Sequence, residues 1–278
     1  MTGKKAQDEK VRTAVMSRYE RVATEGKSCC EARTTQNEIV KIYSEEDLAA
    51  MPDDLKASNC GCGNPVAIGA LKPGQVVLDL GSGAGLDVFL ASERVGPSGK
   101  VIGVDATRQM VLKANKMADE LGLENVEFRK GVIEDLPVGS DSVDVIISNC
   151  VINLVTDKGK VFREAYRVLK PGGKLAVSDR VLVRELPEKA KGNLELWSAC
   201  VSGALPEEEY LSEIKRAGFV RVKVTDQRLY SEKEARSFVK AVIENAKGKE
   251  IKKLDEETAV QAFLAVANDR IFAFKPAK

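Results

Sequence analysis

The 278-residue chain carries 43 Lys and Arg against 42 Asp and Glu, a formal net charge of +1, and no histidine. Charges this evenly matched create no whole-protein field toward nucleic acid or a membrane surface, and no apolar stretch approaches the roughly 20 residues that span a bilayer. Met1 to Lys10 is polar and charged, unlike a secretion signal, so a soluble, cytoplasmic protein is expected. The missing histidine removes the commonest general base and the commonest transition-metal ligand near neutral pH. Six cysteines remain, Cys29, Cys30, Cys60, Cys62, Cys150 and Cys200, and they are expected as thiols rather than a disulfide framework.

Val11, Val15, Tyr19 and Val22 recur at helical spacing and predict an N-terminal amphipathic helix. A looser stretch from Thr24 to Pro73 holds four cysteines. It includes a helix start at Ser44, where Glu45, Glu46 and Asp47 suit the positive helix end. From Gln75 strands and helices alternate. Strands are expected at Val76–Leu80, Lys100–Val104, Val126–Arg129, Val143–Ser148 and Lys174–Val183. Helices are expected at Leu86–Val95, from a Thr107 cap to Leu121 with Gly122 as its stop, and at Asp157–Leu169, before a Pro171-Gly172-Gly173 turn. This rhythm predicts an α/β fold, a mostly parallel sheet with helices on both faces. Beyond Leu186, helices near Lys189–Cys200, Glu207–Ala217, Ser231–Lys247 and Glu256–Asn268 are expected, with strands at Val220–Thr225 and Arg270–Phe274. The expected division is 1–73, a helical and loop segment bearing cysteines; 74–185, a Rossmann-like core; and 186–278, which completes the sheet with an antiparallel terminal strand.

The turn after the first strand reads Asp79-Leu80-Gly81-Ser82-Gly83-Ala84-Gly85. Its glycines let backbone approach a ligand closely, and Asp105, at the end of the second strand, is placed to accept hydrogen bonds from ribose hydroxyls. A dinucleotide fingerprint would need its third glycine where Leu86 stands. A pyrophosphate also wants bare amides, whereas Asp79 suits the sulfonium and ammonium of S-adenosylmethionine. These features resemble the class I methyltransferases from about Gly74 to Thr225. That resemblance implies S-adenosylmethionine as the methyl donor, bound by Asp79, Gly81, Ser82, Gly83, Gly85, Asp105, Ala106, Thr107 and Met110. It also implies Val132, Ile133 and Glu134 along the adenine, with Ser148 and Asn149 at the methionine end.

The acceptor is read from the segment after the fourth strand. Ser148-Asn149-Cys150-Val151-Ile152-Asn153-Leu154 lacks the Pro-Pro-aromatic turn seen in methyltransferases that act on base amines. It offers Cys150 at the mouth of the fold instead. Gly61-Cys62-Gly63 and Leu196-Trp197, followed by Cys200 and Gly203-Ala204-Leu205, place further thiols in loops near that mouth. Together these stretches resemble the arsenite methyltransferases from about residue 11 to 225. The resemblance implies that Cys62, Cys150 and Cys200 bind As(III), presented as arsenite or its thiol adducts. It implies that Cys29 or Cys30 joins in binding or thiol–disulfide turnover, with a small thiol or thioredoxin-like protein as reductant. Many members carry an aromatic pair before the Gly-Cys-Gly; here Asn59 and Cys60 stand there, so Cys60 either adds a ligand or fills the aromatic position. A mutual Cys29–Cys30 disulfide would be strained, which leaves pairing of one of them with Cys62 or Cys60. Arsenic is soft and suits thiolates, and its lone pair carries no proton, so no general base and no metal cofactor are expected. The rival readings are a methyltransferase for a small organic acceptor and a non-catalytic module holding zinc on Cys29, Cys30, Cys60 and Cys62. The zinc module fits poorly, because C-C and C-x-C are not the usual zinc spacing.

Overall fold

A computed structural model describes residues 2–25, 42–49, 51–57, 61–245 and 254–277. Five strands follow the βα rhythm: β1 (Val76–Leu80), β2 (Lys100–Asp105), β3 (Val126–Lys130), β4 (Val143–Asn149) and β5 (Leu169–Leu182). β6 (Val220–Leu229) and β7 (Val266–Phe274) complete a seven-stranded sheet in the order β3-β2-β1-β4-β5-β7-β6. β1 to β5 are parallel, while β7 runs antiparallel to both β5 and β6. The antiparallel strand expected at the terminus is thus present, inserted between its neighbours rather than added at the edge.

Side chains alternate across a strand, and here the alternation feeds two cores. Val77, Val145 and Ile147 pack with Phe89 and Met110 on one face, while Leu78, Leu80 and Ile146 pack with Phe162, Tyr210 and Ile214 on the other. Phe89 and Phe162 are fully buried, and truncating either to alanine would cost about 3–5 kcal/mol. The N-terminal helices are α1 (Thr2–Glu25), α2 (Glu45–Ala49), α3 (Asp53–Ala57) and α4 (Pro65–Gly69). α5 (Leu86–Val95), α6 (Arg108–Glu120) and α7 (Lys158–Val168) are the crossover helices. α8 (Leu194–Ser198), α9 (Glu207–Arg216), α10 (Glu232–Asn245) and α11 (Glu256–Leu264) belong to the C-terminal region.

Several expectations shift in detail. Pro171-Gly172-Gly173 lies inside β5, where the register jumps from Leu169 opposite Val143 to Lys174 opposite Val145; the turn survives as an irregularity in a longer strand. The helix expected over Lys189–Cys200 shrinks to a 3-10 turn, Glu188–Ala190, and α8, because Gly192 takes φ +70° and Asn193 caps a new start by accepting from the Glu195 and Leu196 amides. Asn268, expected in a helix, is in β7. Thr107 precedes α6 without a side-chain cap; its hydroxyl faces Met16 Sδ at 4.0 Å instead. Among the described residues no helix is long and apolar enough to cross a membrane.

The connections from β1 to β3 progress one way across the sheet, while β4 pairs on the other side of β1. In parallel sheets that reversal opens a crevice beyond the carboxyl ends of the two strands. Leu80 and Asn149 end those strands, so the glycine turn and Cys150 both emerge there.

Candidate active site

A cavity of about 730 Å³ occupies this crevice. Asp79, Gly81, Ser82, Gly83, Asp105, Ala106, Thr107, Met110, Val132, Ile133, Glu134 and Asn149 all line it. Gly85 and Ser148 do not. Gly85 takes φ +99° at the start of α5, and a Cβ there would lie 2.8 Å from both Phe89 and Phe128, so its glycine serves packing. Ser148 is fully buried in the sheet. Gly83 is suited to backbone approach by a ligand: φ is +53° and nothing stands within 4 Å of where a Cβ would be. Asp105 accepts from the Gly83 amide at 3.0 Å and the Thr107 amide at 2.8 Å, which fixes its carboxylate at the cavity wall.

The cavity is built for positive charge. Asp79 is 2% exposed, and burial, then Asp87 and Asp105, hold its carboxyl well above the usual range. Burial also raises Asp105 and lifts Asp87 to about 6, against hydrogen bonds that pull both back. Three acidic groups on one desolvated wall repel each other until a cation arrives. The sulfonium and ammonium expected of the methyl donor would carry such charge. The hydroxyl of Ser82, buried on the same wall, has no hydrogen-bond partner among the described residues.

Two features of this wall were not read from the sequence. Asp87 looks like an ordinary acidic residue in a first helical turn. In the fold its carboxylate receives the Tyr43 hydroxyl at 3.0 Å and the Asn149 amide at 2.9 Å. The second is the cover: Val11, Val15, Met16 and Tyr19 of α1 also line the cavity. Arg12 reaches Glu134 at 3.3 Å and Arg18 reaches Glu195 at 3.8 Å, so α1 is tied to the cavity wall at Glu134 and to α8.

The cysteines meet beside this cavity. Cys62, Cys150 and Cys200 form one buried cluster with Leu154, against which Val15, Tyr19 and Val151 pack; Cys150 itself lines the cavity. Cys62 and Cys150 are joined by a disulfide with their Cα atoms 5.9 Å apart, which corrects the expectation that these two are thiols. It also gives Cys62 a partner other than the expected Cys29 or Cys30. Cys29, Cys30 and Cys60 lie outside the described residues. Cys200 keeps its thiol, which donates to the Cys150 carbonyl at 3.1 Å.

Local backbone explains how distant loops reach one point. Asn149 Oδ1 accepts from the Cys62 amide at 2.9 Å and the Gly63 amide at 3.1 Å, while its Nδ2 donates to the Gly63 carbonyl at 2.6 Å. Asn268 of β7 donates to the Cys62 carbonyl. The flanking glycines permit this fit: a Cβ on Gly61 would stand 2.3 Å from Asn149 Nδ2, and one on Gly63 would stand 1.9 Å from Ser178 Oγ. They serve close approach. Asn149, expected only beside the donor, thus also anchors the Cys62 loop. Cys150 and Cys200 both adopt left-handed backbone, at φ +59° and +57°, a conformation that costs a residue with a Cβ about 1–2 kcal/mol.

Residues 71–234 match the family described as methyltransferase domain. The arsenite methyltransferase of Halobacterium salinarum is 41% identical over 232 residues, 78% of this chain and 59% of that protein. The human arsenite methyltransferase is 38% identical over 195 residues, 67% of this chain and 51% of that one. Among solved structures, the arsenic (III) S-adenosylmethionine methyltransferase from Chlamydomonas reinhardtii superposes with a TM-score of 0.64 at 32% identity, covering 83% of this chain and 72% of that one. The chain belongs to the arsenite methyltransferase family. It spans between half and three fifths of the length of these two curated relatives.

For a member of this family the acidic wall has a measurable consequence. A carboxyl whose folded pKa is raised adds stability at low pH that is lost as pH rises through that pKa. Below pH about 6 Asp87 holds a proton on this wall, and binding of a cationic donor displaces it. Donor affinity should fall as pH drops through Asp87's value of about 6, by up to about tenfold per pH unit for that proton. Calorimetric titration in two buffers of different ionisation enthalpy measures both the affinity and the released proton. An affinity that stays level from pH 5 to 7.5, with no proton released, would contradict it.

Proposed function

We propose that this chain transfers the methyl group of S-adenosylmethionine to trivalent arsenic held by the thiolates of Cys62, Cys150 and Cys200, in the cytoplasm, where thiol reductants are available. The observation that carries the reading is the clustering of these three cysteines, with Cys150 in the wall of a cavity lined by Asp79, Asp87 and Asp105. S-adenosylmethionine, when bound, supplies a methyl group on a positively charged sulfur. Asp79 and Asp87 hold that ligand's positive groups, Asp105 its ribose, and Val132, Ile133 and Glu134 its adenine. The cysteines orient arsenic with its lone pair toward the cavity, and α1 keeps water out. Positioning of this kind contributes roughly 7–11 kcal/mol in well-oriented systems.

The electron count gives the disulfide a place. As the As–C bond forms and the S–C bond breaks, arsenic's lone pair becomes the new bond and arsenic is formally oxidised by two electrons. Closing two of its thiolate ligands into a disulfide returns those electrons, and a water or thiol takes the vacated position. The Cys62–Cys150 bond is that oxidised form. A small thiol or thioredoxin-like reductant reopens it, and Cys29, Cys30 or Cys60 serve as relay thiols. In this reading residues 1–73 supply the cover and Cys62, 74–185 bind the donor, and 186–278 supply Cys200 and complete the sheet. The test is to incubate reduced protein with arsenite and methyl-labelled donor and to separate the arsenicals. Labelled methylated arsenic supports the assignment; label that never leaves the donor, or leaves only for an organic acceptor, refutes it.

A further inference from the structure

Arg180 of β5 is 3% exposed and is not part of the cavity wall. Its guanidinium lies over three rings, 5.6 Å from Tyr230, 4.8 Å from Phe238 and 4.9 Å from Phe263. The rings pack together, Phe238 on Phe263 at 4.1 Å and Tyr230 on Phe263 at 4.5 Å. They come from the segment after β6, from α10 and from α11, a region without a part in donor binding. From this box, Nη1 donates to the carbonyl of Ala199.

That carbonyl belongs to the peptide whose N–H is Cys200's own, and this N–H donates to the Trp197 carbonyl at 2.8 Å. Both ends of one peptide plane are therefore tied down, and the next torsion is the left-handed φ of Cys200. Its neighbourhood is equally fixed: Trp197 Nε1 donates to the Leu154 carbonyl at 3.1 Å. Asp179, next to Arg180, receives Asn153 Nδ2 at 2.9 Å and the Tyr210 hydroxyl at 3.0 Å. A buried guanidinium costs desolvation that an apolar side chain would avoid. Ring faces offset part of that cost, but an apolar side chain could not hold the Ala199 carbonyl.

We infer that Arg180 is a positioning residue for the Cys200 thiol, and that α10 and α11 serve the arsenic site by gripping its guanidinium. The inference rests on the reading of Cys200 as an arsenic ligand. The experiment uses reduced, full-length wild type, Arg180→Gln, Arg180→Lys, Phe238→Leu and, as control, Cys200→Ser. Each is titrated with arsenite, the sulfurs around arsenic are counted by X-ray absorption, and KM is measured for arsenite and donor. Wild type is expected to hold three sulfurs, and Arg180→Gln and Cys200→Ser two. KM for arsenite in Arg180→Gln should rise about tenfold while the donor KM stays within about twofold. Arg180→Lys, which keeps a donor for Ala199, should recover most of the loss. Phe238→Leu loosens the box with little loss of volume and should show the same split at about threefold, giving the answer if Arg180→Gln does not fold. Three sulfurs and an unchanged arsenite KM in whichever of the two folds would overturn the role of Arg180. Three sulfurs in Cys200→Ser would instead overturn the ligand assignment beneath it.

Discussion

Replacing Cys200 by serine, alanine or glycine should lower methyl transfer to arsenite by at least about 100-fold, while donor binding stays within about twofold. A serine hydroxyl is a hard, protonated oxygen and does not replace a thiolate on a soft atom. Cys200 does not line the donor cavity, so the loss belongs to the acceptor side; Cys150→Ser should match it in rate. The stability of the same variants should rank unusually. Glycine is normally less stable than alanine in a folded element, but Cys200 sits at φ +57°, where any Cβ is strained. Cys200→Gly should therefore be as stable as Cys200→Ala or more so, by on the order of 1 kcal/mol. Urea unfolding of the reduced variants measures this. An alanine variant clearly more stable than the glycine one would show that the left-handed backbone is not held in solution. The combination, activity lost where backbone strain is relieved, is what a residue kept for chemistry rather than packing should display.

The positions of the strands were legible because each apolar run is bounded by turn residues and alternates between two cores, as Val77 and Leu78 do. The cavity wall was legible because a glycine turn and an acid at the end of β2 are marked by residue type and local backbone. Most residues named for it, from Asp79 to Glu134, line one cavity. What stayed hidden depends on contacts across the chain. Nothing in the periodicity of α1 says that Val15 and Met16 close a cavity, since a cover and an ordinary amphipathic helix share one pattern. Asp87 reads as a favourable first-turn charge, and its bond to Tyr43 joins positions 44 residues apart. The short α8 replaces a longer expected helix because Gly192 breaks the run with a left-handed torsion and Asn193 caps a new start. The left-handed torsions at Cys150 and Cys200 leave no mark in residue type, because glycine is the usual signal and cysteine gives none.

Reduction should convert the Cys62–Cys150 site from one closed to arsenite to one that binds a single equivalent, and thermal unfolding should follow the change in three steps. A bond between residues 88 apart in sequence restrains the unfolded chain by roughly 4–5 kcal/mol on the loop-entropy account. The oxidised protein should therefore melt highest in the absence of ligands, and the reduced protein several degrees lower. Reduction frees the two sulfurs without releasing the loop, because Asn149 and Asn268 still hold the Cys62 backbone through its amide and carbonyl. The thiols are then left close together, and arsenite can bridge them as the disulfide did. Arsenite should restore most of the lost melting temperature in the reduced protein, less of it in Cys62→Ser, and least in the oxidised protein, where Cys62 and Cys150 are closed on each other. An equal rise in oxidised and reduced protein would mean that arsenic binds elsewhere. A rise in reduced protein that Cys62→Ser retains in full would remove Cys62 from the ligand set and leave Cys150 and Cys200 as the holding pair.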